Sequence, residues 1–208
     1  MTRKIHLEIL RLLGVRCAIS ILGREAGWRL QAVLRPRRFF SRRQTMNLYK
    51  SQVMSYLESG VAGYYHAAPS ILRAIDRIQE RLLREIRISP EDALQWFSLA
   101  PLSSRRGIAM LGFLHRIALG EVSLQIAELF PFQAVSADRR PTRLQIRRHA
   151  RQFVVPVFRT DVLKRSVFGL TVIYNLLPAR VVAETTVKTF QSKLQSALRN
   201  AASQGLSD

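Results

Sequence analysis

Apolar residues recur every three or four positions along most of the chain, which predicts a mainly α-helical protein. The strongest repeat lies within residues 64–97, where one broad apolar face consists of Ile71, Leu72, Ile75, Ile78, Leu82, Leu83 and Ile86. At about 100° per residue, a set of arginines falls on the opposite side of this helix, within about 80° of one another. These residues, called the arginine stripe below, are Arg73, Arg77, Arg81 and Arg84. We expect the stripe to face outward when the core forms.

Weaker repeats predict the other elements of a helical bundle. The expected helices are one or two over residues 5–34, one over 45–60, one beginning at Pro90, one within 99–120 capped by Ser103 or Ser104, and one over 185–200. Residues 153–160 and 167–175 are rich in β-branched and aromatic side chains, which favours a small β-hairpin near residues 153–175. The expected domains are a helical segment with a basic connector (1–45), a helical domain (46–130) and a basic C-terminal segment with short strands and the final helix (131–208).

The charge balance indicates what kind of partner the chain binds. The 208 residues include 33 lysines and arginines against 14 aspartates and glutamates, a net charge of +19. At 48% hydrophobic and 23% charged residues, the composition is otherwise that of a globular protein. The excess indicates a polyanionic partner, either nucleic acid or an acidic membrane surface. Arginine greatly outnumbers lysine, which suits phosphate binding and base stacking, although a GC-rich genome would give the same bias without a chemical reason.

Two further clusters of arginine accompany the stripe. The connector RPRRFFSRR, residues 35–43, surrounds Phe39 and Phe40 with arginines, and residues 138–151 hold a second basic patch. The candidate nucleic-acid-binding residues are Arg37, Arg38, Arg42, Arg43, Lys50, Arg73, Arg77, Arg81, Arg84, Arg105, Arg106, Arg143, Arg147 and Arg151. The alternative is that these charges belong to a solvated linker and solvated helix faces, with Glu80 pairing to Arg84 at i, i+4.

Arg105 and Arg106 occupy the first turn of an expected helix, where the helix dipole disfavours cations. A bound phosphate would relieve this unfavourable placement. Nearby acidic side chains would relieve it equally well, and the sequence leaves both explanations open.

No catalytic or metal-binding pattern is present in the sequence. Cys17 is the single cysteine, and no HExxH, GxxxxGK[ST], GxGxxG or GxSxG motif occurs. Glu91 and Asp92 follow Ser89 and Pro90 as residues of a helix cap, which explains them better than a catalytic pair. We therefore expect no enzyme activity, metal or cofactor. The longest apolar run, residues 166–182, is interrupted by polar residues, so no membrane partner is expected.

Short motifs in a fixed order resemble the region after the polymerase palm in reverse transcriptases of non-LTR (LINE-type, jockey-like) retrotransposons. The family's Leu-Tyr-Lys helix, Leu-Glu-Tyr-like end and Ile/Val-Gln-Arg element are matched by Leu48, Tyr49, Lys50, Leu57, Glu58, Ile78, Gln79 and Arg81. Its Leu-x-x-Leu-x-x-Arg-Arg segment is matched by Leu99, Leu102, Arg105 and Arg106. Its closing pattern is matched by Arg159, Thr160, Asn175, Leu177, Pro178, Val187 and Phe190, whereas Tyr174 replaces a tryptophan and Ser59 a tyrosine.

The resemblance covers about residues 24–200 and implies the thumb and C-terminal region of such an enzyme. The fingers, the palm with its Phe/Tyr-x-Asp-Asp motif, the endonuclease domain and the Cys/His knuckle of some members have no counterpart here. The resemblance implies that this region grips RNA or an RNA/DNA hybrid inside the cell, in the nucleus, without transferring phosphoryl groups. It also implies a polymerase part on the N-terminal side in the full-length protein.

Two other classes of protein fit the same residues. The chain is alternatively a degenerate retroelement remnant, or a basic helical protein that docks on an acidic partner without any role in nucleic-acid binding. The basic, amphipathic N-terminus also fits an organellar protein whose mature chain begins near residue 25 or later.

Overall fold

Helices dominate the computed structural model, which describes residues 2–133 and 149–204, with side chains from residue 17 onward. The prediction of a mainly α-helical fold is therefore confirmed. The chain divides into two compact units, Met1–Arg106 (unit 1) and Gly107–Asp208 (unit 2). In the described part of the chain, no helix is long and apolar enough to span a membrane.

Unit 1 begins with one long helix rather than the two that the sequence also allowed. Its elements are α1 (Thr2–Leu34), a 3-10 turn (Arg37–Phe39), α2 (Arg42–Tyr49), a π-helical turn (Lys50–Met54), α3 (Ser55–Ser59), α4 (Val61–Tyr64), α5 (Pro69–Ile86), α6 (Pro90–Phe97) and the start of α7 (Leu102–Ala118). The π-helical turn joins α2 and α3 without a break, so the expected helix over 45–60 is confirmed as a continuous helix over residues 42–59.

Helices α1 and α5 lie side by side and run in the same direction. Ile19 of α1 and Ala74 of α5 line one shallow groove, and further along the pair Gln31 lies against Arg81. Five residues of the predicted apolar face of α5 are buried, namely Ile75, Ile78, Leu82, Leu83 and Ile86. Ile71 and Leu72 of that face are only half-buried, and Gln79 is buried although the apolar repeat did not include it. Each fully buried leucine or isoleucine on this face contributes roughly 1.5–3 kcal/mol.

Specific residues at their termini fix where these helices begin and end. Ser41 and Gln44 form a reciprocal capping box at the start of α2, with hydrogen bonds of 3.2 and 2.8 Å. Ser89 accepts a hydrogen bond from the Asp92 N–H at 3.0 Å, which confirms the predicted cap of α6. Helix α5 ends at Ile86, and the next residue, Arg87, caps it in the left-handed conformation with φ of 55°.

Unit 2 contains the rest of α7 and a set of shorter helices. These are α8 (Leu124–Ala127), α9 (Asp161–Arg165), α10 (Leu170–Leu176), α11 (Ala179–Val182) and α12 (Val187–Ser203). Thr186 caps α12, and Phe190 is fully buried, as expected for the final helix. Arg143 and Arg147, two of the candidate binding residues, lie outside the described residues.

The expected β-hairpin near residues 153–175 is wrong, because residues 170–176 form helix α10. Leu170, Thr171 and Tyr174 are buried at helical spacing, so packing decides the conformation against a weak β propensity. The only β pairing among the described residues is an isolated bridge between Phe132 and Phe153. The cap expected at Ser103 or Ser104 is also wrong, since α7 already begins at Leu102.

His115 forms the polar centre of the unit 2 core. Its ring stacks on Phe190 with centroids 4.1 Å apart. Its Nε2 lies 3.0 Å from the Glu184 carbonyl oxygen, which can only accept, so Nε2 carries the proton and Nδ1 accepts from the Tyr174 hydroxyl at 2.9 Å. Burial lowers the pKa of His115, and the nearby Arg151 charge acts in the same direction. The neutral imidazole is therefore the form that the fold holds.

Lowering the pH from 7.5 to 5.5 should lower the free energy of unfolding by an amount on the order of 1 kcal/mol through His115. The unfolded chain takes up a proton near the usual histidine pKa of about 6.5, and the folded His115 resists it, so stability falls with pH. Urea unfolding at both pH values measures the effect. His115→Gln should flatten the dependence, and an unchanged slope in this variant would contradict the assignment.

Candidate nucleic-acid interface

The outer face of α5 carries three exposed arginines of the stripe, Arg73, Arg77 and Arg84. Arg73 and Arg84 are separated by about 16 Å along the helix, at 1.5 Å per residue. Within the described residues, these guanidinium groups have no ion pair or hydrogen bond, and the Glu80–Arg84 pair that the sequence allowed is not formed. The outward orientation is thus confirmed for these residues, which are called the exposed stripe below.

Arg81 does not belong to the exposed stripe. Its half-buried side chain turns toward α1, where the Gln31 carbonyl, in the amide orientation that satisfies both side chains, accepts from Arg81 Nη1 at 3.0 Å. The expectation that Arg81 faces outward is therefore wrong. Its angle of about 80° from Arg73 places it at the edge of the face that α1 covers.

The connector arginines divide into one anchor and several exposed side chains. Arg37 pairs with Glu85 of α5 at 3.0 Å and donates to the Leu34 carbonyl at 3.5 Å. Arg38 lies over the exposed Phe39 ring, with Cζ 4.8 Å from the centroid. Arg42 and Arg43 are exposed in the first turn of α2. The connector is thus fixed beside the C-terminal end of α5, where the exposed stripe ends.

Lys50, Arg105 and Arg106 point into unit 1 instead of toward solvent. Arg106 is 5% exposed and binds Asp76 of α5 through two hydrogen bonds, of 2.6 and 3.1 Å. Arg105 forms an ion pair with Glu58 of α3. Lys50 donates to the Phe97 carbonyl at the end of α6. Of the two explanations that the sequence left open for Arg105 and Arg106, acidic neighbours are the one present in the structure.

Buried tyrosines surround these ion pairs. Tyr64 donates a 2.7 Å hydrogen bond to the Leu57 carbonyl, and burial raises its pKa to about 12. Burial also raises the pKa of Tyr49, whose hydroxyl is buried without a hydrogen-bond partner. Both phenols are therefore protonated at neutral pH and supply no base. The cluster fits a structural role, because its charges are paired and its hydroxyls stay neutral.

Arg151 is the one described residue of the three candidates from the second basic patch. It is half-buried in unit 2 and donates from Nη1 to the Val182 carbonyl at 3.2 Å. This contact links the segment before Phe153 to α11. Arg151 therefore contributes to the packing of unit 2.

Sequence reasoning missed two contacts between arginine and an aromatic ring on α1. Arg24 lies 5.6 Å from the centroid of the exposed Trp28 ring, and Arg29 lies 4.3 Å from that of Tyr56. The i, i+4 spacing of Arg24 and Trp28 was the available signal. The pairing of Arg29 with Tyr56 depends on how helices α1 and α3 pack, which the spacing does not contain.

Comparisons with known proteins supply no family for this chain. No protein-family model, curated protein or solved structure matches it. Among the described residues, no group of three or more His, Cys, Asp or Glu side chains could hold a metal ion. The similarity to retrotransposon reverse transcriptases is therefore a hypothesis that rests on the matched residues alone.

Asp76→Asn should lower the free energy of unfolding by about 2 to 3 kcal/mol, because it leaves the buried Arg106 guanidinium without its counter-charge. The shift of the urea midpoint measures this change. Arg84→Gln is the matched control on the same helix and should stay within about 0.5 kcal/mol of the parent protein. Equal effects of the two substitutions would show that the buried pair does not stabilise unit 1.

Proposed function

We propose that this chain binds the phosphate backbone of RNA or an RNA/DNA hybrid through the exposed arginines of unit 1, without catalysing a reaction. The observation that carries the proposal is the exposed stripe, a row of arginines without ionic partners on one helix face. Charged side chains add to helix stability when they contact an opposite charge at i, i+3 or i, i+4, and these three arginines make no such contact. Backbone phosphates are the ligand that an unpaired arginine row fits best.

The distribution of acidic side chains supports this proposal. Three carboxylates of unit 1, Glu58, Asp76 and Glu85, are each held by an arginine. Their charges are thereby neutralised where they would otherwise oppose an anion. On the outer face of α5, Glu80 is the acidic residue left without an arginine partner in the described contacts. The face therefore keeps a net positive charge.

The resemblance to the reverse-transcriptase thumb supports the choice of nucleic acid within this proposal. In that family the matching region holds template and primer next to the polymerase active site. Under the proposal, this chain is the thumb-like part of such a polymerase. The catalytic part of the polymerase would lie on its N-terminal side in the full-length protein. The reading frame upstream of Met1 in the native transcript tests this step: a Phe/Tyr-x-Asp-Asp palm is expected, and a start codon without a palm would contradict it.

Changing Arg73, Arg77 and Arg84 together to glutamine should reduce the salt dependence of binding. Each phosphate contact contributes a slope of about −0.7 in log K against log salt for single strands, so the loss of three contacts should flatten the slope by about 2. Fluorescence anisotropy with a mixed-sequence RNA between about 50 and 200 mM salt measures it. Circular dichroism checks that the helices are retained.

The matched control is the triple change of Arg116, Arg159 and Arg180 to glutamine, which removes the same charge from exposed positions in unit 2. This control should keep the slope of the parent protein. Equal flattening by both variants would mean that net charge alone attracts the RNA. An unchanged slope in the stripe variant would mean that the exposed stripe is only a solvated helix face. It would favour the alternatives, a degenerate retroelement remnant or a basic helical protein that docks on an acidic partner.

Glu80→Gln should tighten RNA binding by about two- to fivefold at low salt, because it removes the negative charge nearest to the exposed stripe. The same anisotropy titration measures the change. Glu91→Gln removes an equal charge from an exposed position on another helix, α6, and should have little effect. Weaker binding by Glu80→Gln would show that no phosphate approaches this face.

A further inference from the structure

The connector between α1 and α2 is held in one conformation at both ends. On one side, the Arg37–Glu85 ion pair ties it to α5, and the 3-10 turn is closed by the Phe39 N–H, which donates to the Pro36 carbonyl at 2.9 Å. On the other side, the capping box of Ser41 and Gln44 fixes the start of α2. The segment is therefore a fixed surface and not a loose solvated linker.

This fixed surface presents aromatic rings to solvent. Phe39 is 74% exposed and Phe40 is 40% exposed, although both are large apolar side chains that would gain from burial. Arg38, Arg42 and Arg43 surround them and are exposed, and the described residues offer these cations no acidic partner. We name Arg38, Phe39, Phe40, Arg42 and Arg43 the connector platform.

The chemistry of the connector platform selects one class of ligand. Exposed aromatic rings in a positively charged groove are how proteins hold single-stranded nucleic acid, since unpaired bases stack on the rings while phosphates meet the cations. In a duplex the base faces are already stacked on each other, so the rings would gain nothing from it. An acidic protein would satisfy the arginines but would not require flat aromatic faces.

We propose that Phe39 and Phe40 stack on unpaired bases of single-stranded RNA or DNA, while Arg38, Arg42 and Arg43 neutralise the adjoining phosphates. This inference rests on the proposed function and adds to it a preference for single strands. The exposed stripe on α5 would follow the backbone, and the connector platform would hold a stretch where the bases are free. Because every base has a flat face, little sequence preference is expected.

Changing Phe39 and Phe40 together to alanine tests the inference. Affinity for a mixed-sequence single-stranded RNA should fall about tenfold or more, with the salt slope unchanged, because stacking involves no counterion release. Affinity for the RNA/DNA hybrid of the same sequence should change by less than about threefold. Phe39→Trp keeps a flat ring and should bind single strands at least as tightly as the parent protein.

Trp96→Ala is the matched control. Trp96 is an exposed aromatic residue, at 79%, but its own helix α6 carries Glu91 and Asp92 instead of arginines. This variant should bind single-stranded RNA as the parent protein does. If Trp96→Ala lost as much affinity for single-stranded RNA as the Phe39/Phe40 alanine variant, the connector platform would not be the specific site of base stacking.

The remaining outcomes separate this inference from the proposed function. Suppose that the parent protein shows salt-dependent binding. If the Phe39/Phe40 alanine variant then loses the same affinity for single strand and hybrid, or loses no affinity for either, base stacking is overturned and backbone binding stands. If Phe39→Trp loses as much affinity for single-stranded RNA as the alanine variant, the Phe39 ring contributes through packing within the protein and does not stack on a base. If the parent protein shows no salt-dependent binding at all, both proposals fail, and an acidic protein becomes the better partner.

Discussion

Two adjacent ion pairs at the start of α7 hold unit 1 together. Arg105 binds Glu58 of α3 and Arg106 binds Asp76 of α5, so neighbouring residues of one helix tie down two others. The Arg105–Glu58 pair also relieves the unfavourable placement of a cation in the first turn of α7, which begins at Leu102. Arg106 is almost fully buried, so its charge would be strongly destabilising if Asp76 did not stay beside it. The ion pair therefore acts together with the buried apolar face of α5 in fixing the direction in which its outer face points.

This constraint divides the arginines into two groups with different consequences. Arg37, Arg81, Arg105 and Arg106 are used in contacts within unit 1. Those contacts neutralise three carboxylates and leave the outer face of α5 and the connector with exposed arginines. On both surfaces the exposed arginines outnumber the acidic side chains beside them. Such a surface attracts polyanions and repels a second copy of itself.

The sequence predicted those features that one helix encodes by itself. The apolar face of α5 and the outward direction of Arg73, Arg77 and Arg84 follow from a period of 3.6 residues, and both are confirmed. Contacts between distant segments could not be predicted, since Arg105 and Arg106 meet acids 47 and 30 residues away. The prediction of a β-hairpin near residues 153–175 was wrong for a related reason. Its β-branched residues allowed a strand, but the buried positions of α10 repeat with helical spacing.

The residues that carry the reverse-transcriptase resemblance have structural contacts in this fold. Lys50 reaches the Phe97 carbonyl, Gln79 donates to the Ala100 carbonyl at 3.2 Å, and Asn175 bonds both backbone groups of Phe153. Motifs of this kind report a shared scaffold more directly than a shared function, because a buried polar residue is constrained by its partners. The residues that would touch nucleic acid lie elsewhere, at exposed positions that the scaffold leaves free to vary. Resemblance and binding surface are therefore separate properties of this chain, and binding by the exposed arginines would stand even if the resemblance did not.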